Sequence, residues 1–311
     1  MPTITQLEYI VAVDRERHFG LAAKRCFVTQ PTLSAQIKKA EELLGILIFD
    51  RSKQPILPTD VGEQVIQQAR IILRERQRLE QLIADFQNDI SGQLRIGILP
   101  TIAPYLLPFF VGNFTRKYPK INLVIKERTA KQIVADLQND LLDVGLMITP
   151  LKEDSIKERP LFYEEIQLYV HPEHKFSKNG RVAPNLLNKE NMWLLSQGHC
   201  FRNQVTNLCT LPQETLTKKR LPFEYEGGSL EALQRLVDKE GGFTLLPELA
   251  TPNSAKNVRS LQAPVPLREV SLVYIRNYAK IKLLELLEQQ IIAAIPEHML
   301  LKERGQVIEW K

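Results

Sequence analysis

Apolar positions change period several times along the chain, and each change marks an element. Leu7, Ile10 and Val11 share one helical face behind Thr5, and Glu8 stands where a capping box needs it, which predicts a first helix over residues 5–16. Phe19 to Cys26, rich in alanine with Leu21, Ala22 and Cys26 inward, reads as a short second helix ended by a turn at Phe27-Val28. Thr29 is a good N-cap and Pro31 suits a first helical turn, so a third helix starts there. Its inner stripe is Leu33, Ile37, Ala40 and Leu44; its outer face carries Thr32, Ser34, Gln36 and Lys38. Ile46 to Phe49 and Ile56-Leu57 read as two short strands around a polar turn, a wing. Thr59 then opens a long helix in which Val65, Ile72, Leu79 and Phe86 recur at heptad spacing, with Ala69 and Ile83 between them. That seam suits pairing with a second copy of the helix and is broken only by Arg76; a helix packed on its own domain is the alternative.

From Gln93 the pattern turns to strands alternating with helices. Leu94, Ile96 and Ile98 alternate as a strand, a helix follows over Leu106 to Lys117, and Ile121 to Ile125 is a second strand. A helix over Ala130 to Asn139 leads to a third strand, Val144 to Ile148. This alternation implies a mostly parallel sheet with helical crossovers. Ligands of such sheets gather at the carboxyl ends of strands, where Thr101 falls between Pro100 and Pro104. A second α/β unit runs from about Leu161 to Leu267, and a strand Glu269 to Tyr274 with a helix Ile281 to Ile295 returns to the first. The expected class is α/β. Residues 1–58 form a winged helix-turn-helix and 59–90 a linker helix for dimerisation. Residues 91–311 form a regulatory domain of two subdomains, I over about 91–160 and 268–300 and II over about 161–267, resembling periplasmic binding proteins of type 2.

Length and composition narrow the function classes. A chain of 311 residues suits two or three domains. Its longest apolar stretch, Leu99 to Phe114, is interrupted by Pro100, Pro104 and Pro108, which argues against a membrane helix. The N-terminus lacks the basic start and apolar block of a secretory signal, so a cytoplasmic location is expected. Three cysteines exclude a disulfide scaffold, and a disulfide formed here is expected to be transient and functional. Net charge is +5, yet residues 1–89 are balanced, with 12 basic and 12 acidic side chains. Locally, residues 15–53 hold eight basic against four acidic groups, a modest patch suited to phosphates. Two short helices joined by a tight turn, the second bearing small polar groups at its start, suit entry into the DNA major groove. The candidate DNA contacts are Thr29, Gln30, Pro31, Thr32, Ser34 and Lys38 on that helix, with Arg51 and Lys53 of the wing on backbone phosphates.

The stretch His18 to Ala23, then Val28-Thr29-Gln30-Pro31-Thr32-Leu33-Ser34, Ile37-Lys38-Lys39, Glu42-Leu43-Leu44-Gly45 and Phe49-Asp50-Arg51, closely resembles the DNA-binding domain of LysR-type regulators. Thr59-Asp60-Val61-Gly62 is similar to that family's entry to its linker helix, and Gly241 to Pro247 to a segment of its effector domain. The resemblance implies a regulator that binds double-stranded promoter DNA as a homo-oligomer, a dimer of dimers, and works with RNA polymerase. Gly198-His199-Cys200-Phe201-Arg202-Asn203-Gln204 followed by Cys209, together with Leu99 to Pro108, resembles the family's hydrogen-peroxide-sensing branch. That resemblance implies Cys200 as the peroxide-reactive cysteine, Cys209 as the resolving one, and His199, Arg202, Thr101, Thr129 and Arg268 around the reactive thiol. Asn203 departs from the pattern, standing where the branch often carries an acid.

Peroxide reduction needs a thiolate, donors that orient the peroxide and a proton for the leaving hydroxide. Arg202 and His199 suit the first need, and the hydroxyls of Thr101 and Thr129 the second. Phe201, Val205 and Leu208 recur at helical spacing, and a helix holds the two cysteines about 13.5 Å apart along its axis, beyond the roughly 7 Å a disulfide allows between Cα atoms. Bonding would therefore require that segment to unwind. Cys26 reads as core packing and His18 as a cap. No cofactor is called for, and His199, Cys200 and Cys209 converge poorly as metal ligands. Two other functions stay open: a LysR-type regulator of a small organic metabolite with incidental cysteines, and a thiol peroxidase. The helix-turn-helix argues for a sensor rather than an enzyme.

Overall fold

The computed structural model describes residues 1–86, 91–178, 180–187, 192–209, 223, 225–251, 256–276, 278 and 280–310. The chain divides into two compact units, one built on Met1–Asp89 and the other on Ile90–Arg276 with Ile281–Lys311.

In the first unit, α1 (Ile4–Glu16), α2 (Phe19–Arg25) and α3 (Gln30–Leu44) pack around Ile10, Val13, Ala22, Leu33 and Ile37, all essentially without solvent contact. The first cap lies earlier than the spacing suggested: Thr3 and Gln6, not Thr5 and Glu8, form the capping box. His18 caps α2 as expected, its Nδ1 accepting from the amides of Gly20 and Leu21. Thr29 caps α3, with Pro31 in the first turn. The wing is shorter than the two runs of apolar residues predicted. Only β1 (Phe49–Asp50) and β2 (Leu57–Pro58) pair, antiparallel. The long helix α4 (Asp60–Phe86) starts behind Thr59, whose Oγ1 accepts from the Gly62 amide.

The α4 seam divides. Val65 and Ala69 turn into the core of their own unit, and Arg70 is buried in a 2.6 Å ion pair with Asp14 of α1. Arg76, the break in the heptads, pairs with Glu8 of α1 at 2.7 Å. Ile72, Leu79 and Ile83 further along are left exposed; the side chain of Phe86 lies outside the described residues. Packing on its own domain therefore accounts for the first half of the helix, and the apolar stripe stands open only in the second.

The second unit begins with β3 (Gly92–Ile98), α5 (Ala103–Lys117), β4 (Ile121–Glu127), α6 (Ala130–Gln138) and β5 (Val144–Thr149). Helix α5 starts before the predicted Leu106 because Pro104 fits its first turn, where no amide donor is needed. A 15-residue strand, β6 (Ile156–Val170), leads to β7 (Arg181–Val182), α7 (Cys200–Leu208), α8 (Leu230–Glu240), β8 (Phe243–Pro247) and β9 (Val258–Leu261). The chain closes with β10 (Pro266–Ile275), α9 (Ile281–Ile292) and β11 (Gln306–Val307).

The sheet is mixed, not mostly parallel. Its order is β4-β3-β5-β10-β6-β9-β7, with β8 on β6 and β11 on β10. Strands β3, β4 and β5 run parallel, as their helical crossovers require, but β10 enters antiparallel between β5 and β6. The reason lies in β6, which serves two sheet halves: Ile156 to Glu165 pair with β10 and Ile166 to Val170 with β8. Such strands carry the chain from one α/β lobe to the other and back, giving the two-lobed periplasmic-binding-protein-like architecture anticipated from the alternation. Among the described residues no helix is long and apolar enough to cross a membrane.

Candidate redox and DNA-binding sites

On α3, burial of Leu33, Ile37 and Ala40 turns Thr32, Lys38 and Lys39 outward. Thr29 is partly committed: its hydroxyl accepts from the Thr32 amide and bonds the Thr32 hydroxyl at 2.8 Å. Lys38 keeps a loose, exposed contact with Glu42 at 3.9 Å. Arg51 is less available than a simple phosphate contact. Its Nη2 donates to Glu41 Oε2 at 2.8 Å, and its guanidinium stacks 5.1 Å from the Phe19 ring. Glu41 is itself buried and also accepts from the Ile48 amide at 2.8 Å, so this carboxylate fastens the wing to the recognition helix. Lys53 is exposed, beside Asp50 at 3.8 Å. The sequence reading overlooked Glu41, because nothing in its spacing distinguishes it from a solvated helix face.

In the second unit Cys200 is the first residue of α7 and Cys209 caps its other end. Both thiols are buried and none of the three cysteines is in a disulfide. Phe201 and Val205 turn the apolar face of α7 inward at the expected helical spacing. A first-turn position favours negative charge because the peptide dipoles and open amides of a helix face its N-terminus. Cys209 has the opposite setting: burial pushes its thiol up from near 9 to about 12, so it is protonated at neutral pH.

Burial also lowers the pKa of His199 and so disfavours its charged form. Its ring lies against Gly228, where a Cβ would come within 2.7 Å of the imidazole, so a larger residue there would displace the ring. Arg202 turns toward the Leu195 carbonyl. Thr129 spends its hydroxyl on capping α6, accepting from the Gln132 amide and donating to Gln132 Oε1 at 3.1 Å. The first turn it caps matters, because Ala130 and Lys131 share a cavity of about 310 Å³ with Cys200 and Asn203.

Arg268 is fully buried on β10 and is held by Glu164 of β6, Nε to Oε2 at 2.8 Å. It also reaches Thr101, 3.4 Å to the carbonyl and 3.5 Å to Oγ1. Its guanidinium sits 5.4 Å over the Phe201 ring. Thr101 and Arg268 thus meet each other, and Arg268 touches α7 through the Phe201 ring. Glu164 was missed, since a lone glutamate in a strand carries no signal until its burial is known.

The C-terminal segment is a further component that the sequence reading did not anticipate. Strand β11 adds to β10, Ile308 N donates to the Leu267 carbonyl at 2.9 Å, and Gly305 passes so close to the Val265 carbonyl that a Cβ would lie 2.2 Å from its oxygen. From this position the Ile308 carbonyl accepts from Gln204 at 2.7 Å and the Glu309 carbonyl from Asn207 at 2.9 Å. Trp310 completes one wall of the Cys200 cavity.

A helix-turn-helix unit joined to a two-lobed α/β unit defines a DNA-binding regulator with a sensing domain. The chain belongs to the LysR family: residues 4–63 match the bacterial regulatory helix-turn-helix proteins of that family and residues 87–303 its LysR substrate binding domain. It is 34% identical to the hydrogen peroxide-inducible genes activator of Haemophilus influenzae over 87% of this chain and 90% of that one. Against the DNA-binding transcriptional dual regulator OxyR of Escherichia coli K12 it is again 34% identical, covering 87% and 88%. A full-length OxyR variant from Pseudomonas aeruginosa superposes with a TM-score of 0.79 at 32% identity, covering 95% of this chain and 99% of the other.

Proposed function

We propose that this protein is a hydrogen-peroxide-sensing transcription factor that switches through a reversible Cys200–Cys209 disulfide to activate oxidative-stress genes. The observation that carries the reading is the placement of two buried thiols at opposite ends of one nine-residue helix, the first of them lining a cavity. The names of its relatives, peroxide-inducible activators, support the same reading.

The thiolate of Cys200 attacks one peroxide oxygen, the O–O bond breaks, and hydroxide leaves with a proton to become water. His199, with burial disfavouring its charged form, serves beside Cys200 as a proton carrier or hydrogen-bond partner. The Arg268–Thr101 pair orients the site from behind Phe201. Thr129 acts by fixing the first turn of α6, and Arg202 by anchoring α7 to the Leu195 carbonyl. Asn203 lines the cavity as an uncharged donor and acceptor.

The sulfenic acid at Cys200 then condenses with Cys209, releasing water. Nine residue steps along the helix separate the two, so α7 must unwind, giving up the burial of Phe201 and Val205 at a cost of about 1.5–3 kcal/mol each. Unwinding exposes Cys209 and removes the burial that raises its pKa, so its thiolate becomes more accessible after the first step. The rearranged lobe shifts contacts between subunits. The protein acts in the cytoplasm as a homo-oligomer, a dimer of dimers, joined in part through the exposed Ile72, Leu79 and Ile83 of α4. It holds promoter DNA with Gln30, Pro31, Thr32, Ser34 and Lys38 in the major groove and Lys53 on phosphates, and it engages RNA polymerase there.

The test is a thiol count and peptide map of the reduced protein after one equivalent of hydrogen peroxide, with promoter binding measured on the same sample. A Cys200–Cys209 disulfide and an altered promoter footprint are expected. Two persistently free thiols would instead point to a metabolite-responsive regulator.

A further inference from the structure

The cavity at Cys200 is far larger than hydrogen peroxide. It measures about 310 Å³, whereas a water molecule's share of liquid volume is about 30 Å³. A molecule of two oxygen atoms leaves most of it unfilled. The walls are also of the wrong kind for so polar a ligand. Val134 of α6, the fully buried Leu151 and Trp310 of the C-terminal segment supply apolar surface, and Asn203, Lys131 and Glu153 supply polar groups. Apolar walls with a few convergent polar groups are what a site for a small organic molecule provides.

We infer that Cys200 also reduces organic hydroperoxides, whose hydrocarbon group lies against Val134, Leu151 and Trp310 while the hydroperoxyl group meets the thiolate. This extends the peroxide-sensing reading and rests on it. The Cys200 thiolate attacks the terminal oxygen of the hydroperoxide, forming the S–O bond and breaking O–O. Sulfur is oxidised by two electrons and the hydroperoxide reduced; the alkoxide takes a proton from solvent and leaves as an alcohol. The sulfenic acid then condenses with Cys209 and releases water, as with hydrogen peroxide.

The wall formed by Trp310 depends on the β11 pairing and on the Gln204 and Asn207 hydrogen bonds to the Ile308 and Glu309 carbonyls, so the C-terminal segment helps to set the range of peroxides accepted.

The test reacts the reduced full-length protein with hydrogen peroxide or with cumene hydroperoxide and quenches it with an alkylating agent. Disulfide formation at Cys200 and Cys209 is followed by peptide mass. Oxidation by both reagents is expected. Val134→Phe, which narrows the cavity, is expected to lower the ratio of the cumene hydroperoxide rate to the hydrogen peroxide rate by about tenfold, as loss of an apolar subsite does. Trp310→Ala is expected to lower it in the same direction. Oxidation by hydrogen peroxide alone would overturn this inference and leave the sensor reading standing, whereas oxidation by neither would overturn the sensor reading. A cumene hydroperoxide reaction whose rate ratio is unchanged in both variants would overturn the assignment to this cavity.

Discussion

Gln204 Nε2 donates a 2.7 Å hydrogen bond to the Ile308 carbonyl, so the middle of α7 is fastened to the segment just after β11, more than 100 residues away in the chain. Gln204 is fully buried and its Oε1 meets no donor among the described residues, which makes this one bond the amide's anchor. If disulfide formation requires α7 to unwind, loosening this bond should favour it. Gln204→Leu keeps the volume but leaves the Ile308 carbonyl without its partner, at a cost of about 1–3 kcal/mol. We expect lower thermal stability of the reduced protein together with faster Cys200–Cys209 closure at a given peroxide concentration. Stop-quench mass analysis measures the second, and an unchanged or slower closure would count against the unwinding step.

Cys209 yields a pH prediction. Its thiol is raised by burial from near 9 in a free chain to about 12 in the fold. A raised folded value means that its contribution to stability is complete below pH 9 and is lost as pH climbs from 9 toward 12. Across that window the unfolded chain ionises first, and stability falls by up to about 1.4 kcal/mol per pH unit from this group. Cys209→Ala should therefore flatten the pH dependence above 9, read by urea unfolding under reducing conditions at about pH 8 and about pH 10.

The Arg268–Glu164 pair is buried at both ends. Breaking it by Glu164→Gln leaves a guanidinium without its counter-charge in the interior, for which a loss of about 3–5 kcal/mol is expected. The double variant Arg268→Met with Glu164→Leu should recover much of that loss. It should also slow the peroxide reaction, because the packing under Phe201 and the contact to Thr101 go with Arg268. Differential scanning calorimetry and single-turnover oxidation separate the two effects.

At the DNA end, Lys38 and Arg51 should fail differently. Lys38 is exposed and only loosely paired, so Lys38→Ala should weaken promoter binding and reduce the slope of log affinity against log salt by about one, with no loss of stability. Arg51→Ala removes a partner of the buried Glu41 carboxylate. It should destabilise the helix-turn-helix unit by about 1–3 kcal/mol before any DNA is present. Equal thermal stability of the two variants would refute the role given to Glu41.

Several features of the site were legible from residue order because their causes are local. The Thr29 cap and Pro31 mark α3 through backbone chemistry within one turn, and the Phe201–Val205 spacing marks α7 through helical periodicity. The Thr5 cap was misread by two residues, since Thr3 with Gln6 satisfies the same pattern and the sequence offers no means of choosing. The parallel sheet was over-extended for a different reason. Alternating strands and helices describe β3 to β5 correctly, but direction at β10 depends on which strand it meets, and that is a long-range pairing.

By itself the sequence determined the two-part organisation of this protein, its helix-turn-helix, and a cysteine pair held on one short helix, since each follows from periodicity, capping and spacing within a few turns. Only the tertiary structure decided that His199 is buried and its charged form disfavoured, that Arg51 is tied to Glu41, that Glu164 holds Arg268, and that the C-terminal segment lines the cavity at Cys200. Burial and long-range partners set the charge and reach of a side chain, and neither exists until distant segments have packed together.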